Sequence, residues 1–180
     1  MAPTPPSYLE KWVEDKLKES PQSLSICPMA RNSTEYDDRS QCQGFSTCNL
    51  VCPSKARYTG VAHIEKAEAK GAQVLENTRV DQLVVGGDQK ISHLIARKPD
   101  GSTLKVTGDY FILAANALES PRLLLNSANE DHPNGVANAS DFVGRNLMNH
   151  PNINTSFLVL EDVFPGRGPN IHFMLNRYRD

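Results

Sequence analysis

Apolar side chains recur at helical spacing near the start of the chain, at Leu9, Trp12, Val13 and Leu17. This spacing predicts an amphipathic helix from Tyr8 to Lys18 that Pro21 stops. The segment VAHIEKAEAK, residues 61–70, predicts a second helix, and Gly71 stands where a left-handed C-terminal cap belongs. Between these helices, Ser20–Arg57 has little periodicity, and an irregular loop of this length generally has a purpose.

Short alternating runs separated by turn residues predict a β-meander in the middle of the chain. The predicted strands are Gln73–Leu75, Val80–Val85, Ile91–Arg97 and Thr103–Thr107. Turn signals follow two of them, at Gly86-Gly87 and at Pro99-Asp100-Gly101.

Three further elements are predicted after the meander. Tyr110–Ala115, YFILAA, is apolar on both faces, which predicts a fully buried strand. Ser120-Pro121 predicts the start of a helix, with Ser as N-cap and Pro at the first helical position, and Arg122–Ser127 continues it. The alternation in Asn154–Leu160 predicts one more strand.

Length, composition and charge limit the classes of function that we expect for this chain. The 180 residues suffice for one domain of ordinary size or for part of a larger one. With 19 basic and 21 acidic residues, the charge is nearly balanced, so we expect neither a nucleic-acid partner nor a membrane-surface role. No apolar run approaches the ~20 residues of a membrane span. The first residues lack the apolar core of a signal peptide, so no export address is predicted.

Three of the four cysteines lie close together, at Cys42, Cys48 and Cys52. Thiolates are soft ligands that suit zinc or iron–sulfur clusters. Zinc sites generally pair cysteines two to four residues apart and need four ligands, so Cys27 or His63 would have to join. The Cys-x3-Cys-Pro ending is consistent with an iron–sulfur loop. A disulfide plus free thiols would also explain these cysteines if the protein works in an oxidising compartment. The spacing alone leaves all three open.

A second candidate site lies where YFILAA turns at Asn116 into the following helix. Small side chains at Ala114, Ala115 and Ala117 permit close approach of a ligand, and ligands favour the carboxyl ends of strands in open α/β sheets. The helix N-terminus would favour an anion. An ordinary strand–helix connection explains the same pattern, and the pattern alone favours that interpretation over a ligand site.

A third polar cluster lies in VGRNLMNHP, residues 143–151, which contains Asn146, Asn149 and His150. A lone histidine near a proline is more often a surface or hydrogen-bonded residue than a catalyst.

Taken together, three motifs resemble the glucose–methanol–choline (GMC) family of flavin oxidoreductases. They are ARNSTEYDDRSQCQGFSTCNLVCPSKARYTG (30–60), FILAANALESPRLLLNSA (111–128) and PNGVANASDFVGRNLMNHP (133–151). The sequence is most similar to the large flavoprotein subunits of membrane-associated glucose, gluconate and fructose dehydrogenases.

The resemblance implies two cofactors. One is an iron–sulfur cluster of the three-iron (3Fe-4S) type, with Cys42, Cys48 and Cys52 as ligands and Cys27 as a plain thiol. The other is FAD. The positions that match FAD-contacting stretches are Val80, Ala114, Ala115, Asn116, Asn146 and His150. Asn116, Ser127-Ala128 and Asn149 depart from the residues usual in the wider family.

The resemblance also implies a fold. This is an α/β fold with α+β character: part of a Rossmann-like FAD-binding domain with a β-meander, and the start of a substrate domain. The implied division is a cysteine-rich N-terminal part (1–58), part of the FAD-binding domain (59–130), and a flavin-side loop with the start of the substrate domain (131–180).

The implied activity is oxidation of a CH–OH group of a sugar or polyol. Electrons would leave through the cluster to an external acceptor such as a cytochrome c, with a small chaperone-like subunit as partner. Relatives work in the periplasm or at its membrane. The chain lacks a Gly-x-Gly-x-x-Gly start and a histidine-bearing end, so it is expected to be the middle of an enzyme and inactive alone. The alternative is a non-catalytic cluster- or zinc-binding fragment, or the product of a decayed gene.

Overall fold

The computed structural model describes residues 2–19, 24–156, 158–169 and 173–175. Two compact units are present: Met1–Ala72 together with Thr155–Asp180, and Gln73–Asn154. Both helices and antiparallel sheets occur, so the mixed α/β class is confirmed, whereas the described residues contain no parallel sheet. The three-part division of the chain stays a prediction.

The first unit begins with helix α1, Tyr8–Lys16. The Ser7 hydroxyl accepts from the N–H of Glu10 at 3.3 Å, and the Glu10 carboxylate accepts from the N–H of Ser7 at 2.7 Å. This reciprocal cap explains why the helix starts at the predicted residue. It ends two residues earlier than predicted, and Pro21 lies outside the described residues.

Two very short strands of this unit were not predicted. Strand β1, Leu24–Ile26, pairs antiparallel with β5, Phe173–Leu175, so that Ser25 lies opposite Met174. Three residues are too few to show an alternation, and the partner lies far away in the sequence.

The predicted irregular region contains a short antiparallel ladder, which we call the 30–32/56–58 ladder. Backbone hydrogen bonds of 2.7 and 2.9 Å join its two segments, with Arg31 opposite Arg57. Ala56, at one end of the ladder, is fully buried. The ladder brings the two ends of the cysteine-bearing segment together. Helix α2, Val61–Glu68, follows the ladder. Gly71 has φ +95°, which confirms the left-handed position predicted after this helix.

The second unit contains a three-stranded antiparallel meander in the order β2-β3-β4. Its strands are β2 (Arg79–Val85), β3 (Ile91–Arg97) and β4 (Thr103–Val106), in close agreement with the prediction. Gly101 has φ +83° in the second turn, a conformation that glycine adopts readily. The strand predicted at Gln73–Leu75 is wrong, because this three-residue segment is exposed and pairs with nothing in the described chain.

The buried strand predicted at Tyr110–Ala115 is also wrong for this chain. Tyr110 and Ile112 are each 91% exposed, and no strand is assigned there. A segment that is apolar on both faces needs covering layers on both sides, and the described residues supply none.

Helix α3, Asn116–Asn126, begins four residues before the predicted Ser120-Pro121 start. The Asn116 side chain accepts from the N–H groups of Leu118 (2.8 Å) and Glu119 (3.0 Å) and so caps the helix. The Ser120 hydroxyl instead accepts from the N–H of Ala115 at 3.2 Å.

Helix α3 packs against β2. The fully buried Ser127 hydroxyl accepts from the N–H of Leu83 at 2.9 Å and donates to the carbonyl of Leu123 at 2.7 Å. This pair of hydrogen bonds fixes the end of the helix on the sheet, beside the buried side chains of Leu83 and Val136.

The strand predicted at Asn154–Leu160 is wrong for its described part, which has no regular structure. Leu158 and Leu160 are fully exposed there. Phe157 lies outside the described residues. Within the described ranges, no helix is long and apolar enough to cross a bilayer.

Candidate functional site

The cysteine loop, residues 41–53, brings the three predicted ligands to one small pocket. Cys42, Cys48 and Cys52 all line it. All four cysteines of the chain are free thiols, so the structure contains no disulfide between them. The pocket therefore presents three separate sulfur atoms rather than a cross-link.

The 30–32/56–58 ladder anchors each of the three cysteines. The N–H of Cys42 donates to the carbonyl of Asn32 at 2.9 Å. The Arg31 guanidinium contacts the Cys48 sulfur, with 3.6 Å from Nη1 to Sγ. The N–H of Arg57 donates to the Cys52 sulfur at 3.5 Å. Residues of one local backbone pairing thus contact all three cysteines.

The environment of Cys52 favours its thiolate. Burial alone would raise the pKa of this thiol, but hydrogen bonds from the Arg57 N–H and the Ser54 hydroxyl, with backbone contributions from Ala56 and Ser54, outweigh it and lower the pKa. The Ser54 oxygen lies 3.6 Å from the sulfur. Because the thiolate is the form that binds metals, this position is chemically suited to be a ligand.

Two glycines, Gly44 and Gly168, make a close backbone contact at the cysteine loop. Gly44 has φ +71°, and its carbonyl accepts from the N–H of Gly168 at 3.1 Å. A Cβ on Gly44 would lie 3.3 Å from the Gly168 Cα, and one on Gly168 would lie 2.7 Å from the Ser7 Cβ. Only glycine at both positions leaves this approach undisturbed.

The donor set fits a thiolate-bound group in chemical type: three free thiols with N–H donors directed at two of them. In the part of the chain that the structure describes, no three His, Cys, Asp or Glu side chains form a group that could hold a metal ion. His63 instead packs edge-on against Tyr58, with 5.2 Å between ring centroids, and Cys27 lines a different pocket. The ligand assignment stays a prediction.

A second cavity, of about 700 Å³, lies between β2 and α3 in the second unit. Val80, Ala114 and Ala115, all predicted near FAD, line it together. Asn116, the first residue of α3, directly follows them, and its side chain accepts from the N–H of Leu118 in the first turn. The small alanine side chains leave the backbone accessible along this wall of the cavity.

Charged side chains also line this cavity. Asp81 accepts from Arg79 and from Arg97, both at 2.7 Å. Hydrogen bonds from Arg79 and then Arg97 lower the pKa of Asp81, although burial acts in the opposite direction. Arg122 pairs with Glu119 on α3. The basic groups of the cavity are therefore balanced by neighbouring carboxylates.

The remaining predicted FAD residues lie apart from this cavity. Asn146 and His150 are exposed and do not line it. The N–H of His150 donates to the Asn149 side chain at 2.8 Å. Their role stays a prediction.

Sequence reasoning missed Arg31 and the ladder that carries it. Arg31 stands one residue after the start of the first family motif, but nothing in its local pattern indicates a contact with Cys48. The signal lies in the pairing of segments 30–32 and 56–58, which only the folded chain reveals.

Comparisons with known proteins match this chain to oxidoreductases. The GMC oxidoreductase family model matches residues 14–152. The chain is 40% identical over 153 residues to the fructose dehydrogenase large subunit of Gluconobacter japonicus, covering 85% of this chain and 28% of that protein. It is 31% identical over 132 residues to 2-methyl-1,2-propanediol dehydrogenase of Mycolicibacterium austroafricanum, covering 72% of this chain and 23% of that protein.

A further relative is 6'''-hydroxyparomomycin C oxidase of Streptomyces lividus, with 31% identity over 124 residues, 67% of this chain and 23% of that protein. The chain thus spans roughly a quarter of the length of these curated relatives. Since the family model covers well over half of the chain, the chain belongs to the GMC oxidoreductase family.

Proposed function

We propose that the protein containing this chain is an FAD-dependent dehydrogenase that oxidises a CH–OH group of a sugar or polyol. Membership of the GMC family implies FAD, and the relatives include proteins named as a fructose dehydrogenase subunit and a propanediol dehydrogenase. FAD supplies a hydride acceptor when bound. No catalytic base is proposed within these 180 residues.

This chain would contribute part of the FAD site. Val80 on β2 and Ala114 with Ala115 before α3 line one cavity, where small side chains let a nucleotide approach the backbone. Asn116 holds the first turn of α3 through two N–H groups and so shapes the wall beside it. Asn146 and His150 are proposed to approach the flavin from a separate loop.

We further propose that Cys42, Cys48 and Cys52 hold an iron–sulfur cluster of the 3Fe-4S type. The supporting observation is that three free thiols line one pocket and that residues of one ladder contact all three cysteines. A bound cluster supplies one-electron transfer to an external acceptor.

The proposed partner proteins are inferred from the relatives of this chain. One relative is named as a large subunit, and we propose that this protein likewise works with further subunits, among them a small chaperone-like one. A cytochrome c is the proposed external acceptor. The nearly balanced charge of the chain gives no support to a nucleic-acid partner.

The test uses the intact protein and measures iron, acid-labile sulfide, FAD and electron delivery to an external acceptor. Replacing Cys42, Cys48 or Cys52 singly by serine is expected to lower iron content and electron delivery while FAD is retained. Cys27→Ser is the matched control, because Cys27 lies in another pocket, and it is expected to keep both. Unchanged iron in all three variants, or stoichiometric zinc in place of iron in the wild-type protein, would overturn the cluster.

A further inference from the structure

Arg31 is the charged residue of the cysteine pocket. Among the described residues that line this pocket, it alone carries a formal charge on its side chain. Its Nη1 lies 3.6 Å from the Cys48 sulfur, within the range of an N–H···S hydrogen bond. The contact spans 17 positions of sequence and so depends on the fold.

The backbone fixes the position from which this side chain extends. Arg31 lies opposite Arg57 in the 30–32/56–58 ladder, and its own N–H donates to the carbonyl of Met29 at 2.7 Å. From the other side of the same bridge, the N–H of Arg57 reaches Cys52. The two halves of one backbone bridge therefore direct one donor each at two different sulfurs.

We infer that Arg31 is a positioning residue that holds the Cys48 sulfur and raises the reduction potential of a cluster bound through it. This inference rests on the proposed function. Hydrogen bonds to the ligating sulfurs and nearby charge set the potential of iron–sulfur clusters. A guanidinium beside a thiolate ligand favours the reduced state, because reduction adds negative charge to the cluster.

The experiment uses the intact protein with Arg31→Met, Arg31→Lys and, as control, Arg57→Met. Arg31→Met removes the charge and the donors while keeping an unbranched side chain, and Arg31→Lys restores the charge. Arg57→Met is matched because the contact of Arg57 with Cys52 runs through a backbone N–H that the substitution retains. Iron content is measured first, and then the reduction potential by redox titration followed by electron paramagnetic resonance.

Arg31→Met is expected to lower the potential enough to change the ratio of reduced to oxidised cluster about tenfold at a fixed potential, or 59 mV for one electron. Arg31→Lys is expected to recover part of the shift, and Arg57→Met to show none. Loss of iron in Arg31→Met alone, with iron kept in the other two variants, also supports the role.

Two results would contradict the inference. An unchanged potential in iron-loaded Arg31→Met, or equal loss of iron in Arg31→Met and Arg57→Met, overturns the role of Arg31 and leaves the proposed cluster intact. Wild-type protein without iron overturns the cluster and, with it, this inference.

Discussion

The hydroxyl of Ser127 joins α3 to β2 by accepting from the N–H of Leu83 and donating to the carbonyl of Leu123. Ser127→Ala removes this acceptor and leaves the buried Leu83 N–H without it. An unsatisfied buried donor costs about 1–3 kcal/mol, so we expect the variant to lose about that much free energy of unfolding. Urea denaturation of the intact protein measures the loss.

Ser140→Ala is the control for Ser127→Ala, because Ser140 is exposed. It is expected to change the free energy of unfolding by no more than about 0.5 kcal/mol. Equal stability of both variants would mean that another group satisfies the Leu83 N–H.

Individual residues show where local sequence signals compete. Ser120-Pro121 carries a strong helix-start pattern, yet Asn116 caps α3 because its side chain reaches two N–H groups of the first turn. The crowding of Cys42, Cys48 and Cys52 was visible in the sequence and predicted a shared site. The contact of Arg31 with Cys48 was not, since it depends on a pairing between distant segments.

At the scale of elements, Asp81 links the two longest strands of the meander. It accepts from Arg79 on its own strand and from Arg97 on β3, which lies opposite Arg79. These hydrogen bonds lower the folded pKa of Asp81. The stabilisation is therefore present above the unfolded pKa of about 3.9 and is lost as the pH falls through the lower folded pKa.

Asp81→Asn tests this pH dependence. The wild-type protein is expected to be more stable than the variant near neutral pH, and the difference should shrink toward zero as the pH falls below about 3.9. Urea denaturation of the intact protein across this pH range measures it. Asp109→Asn, at an exposed position, is expected to give a smaller difference. A wild-type advantage for Asp81 that persists in strong acid would exclude the carboxylate as its source.

Elements with local determinants were predictable, and those with distant partners were not. The meander follows from alternation within each strand and from turn residues at Gly86-Gly87 and around Gly101. Strands β1 and β5 hold only three residues each and pair across most of the chain. Tyr110–Ala115 has the composition of a buried strand, but composition does not provide the neighbouring layers that would bury it.

At the scale of the whole molecule, few apolar side chains are buried among the residues that the structure describes. The described residues contain four buried apolar side chains: Ala56, Leu83, Ala96 and Val136. Large exposed apolar patches mark surfaces that contact something else, and Tyr110 and Ile112 are almost fully exposed. The relatives are about four times as long as the matched segment, so the remainder of the protein is the expected cover.

Ile112→Asp tests whether the remainder of the protein covers this exposed apolar segment. In the 180-residue chain alone, the side chain faces solvent, so the substitution should leave stability unchanged and reduce binding of a hydrophobic dye. In the intact protein, the same carboxylate would be buried without a partner and should destabilise the fold by several kcal/mol, of order 3 or more. Ser140→Asp, at an exposed polar position, should be tolerated in both the isolated chain and the intact protein.

Thermal unfolding and dye fluorescence measure these effects. A sharp cooperative melt of the isolated chain without dye binding, or an intact protein indifferent to Ile112→Asp, would show that no other part of the protein covers this segment.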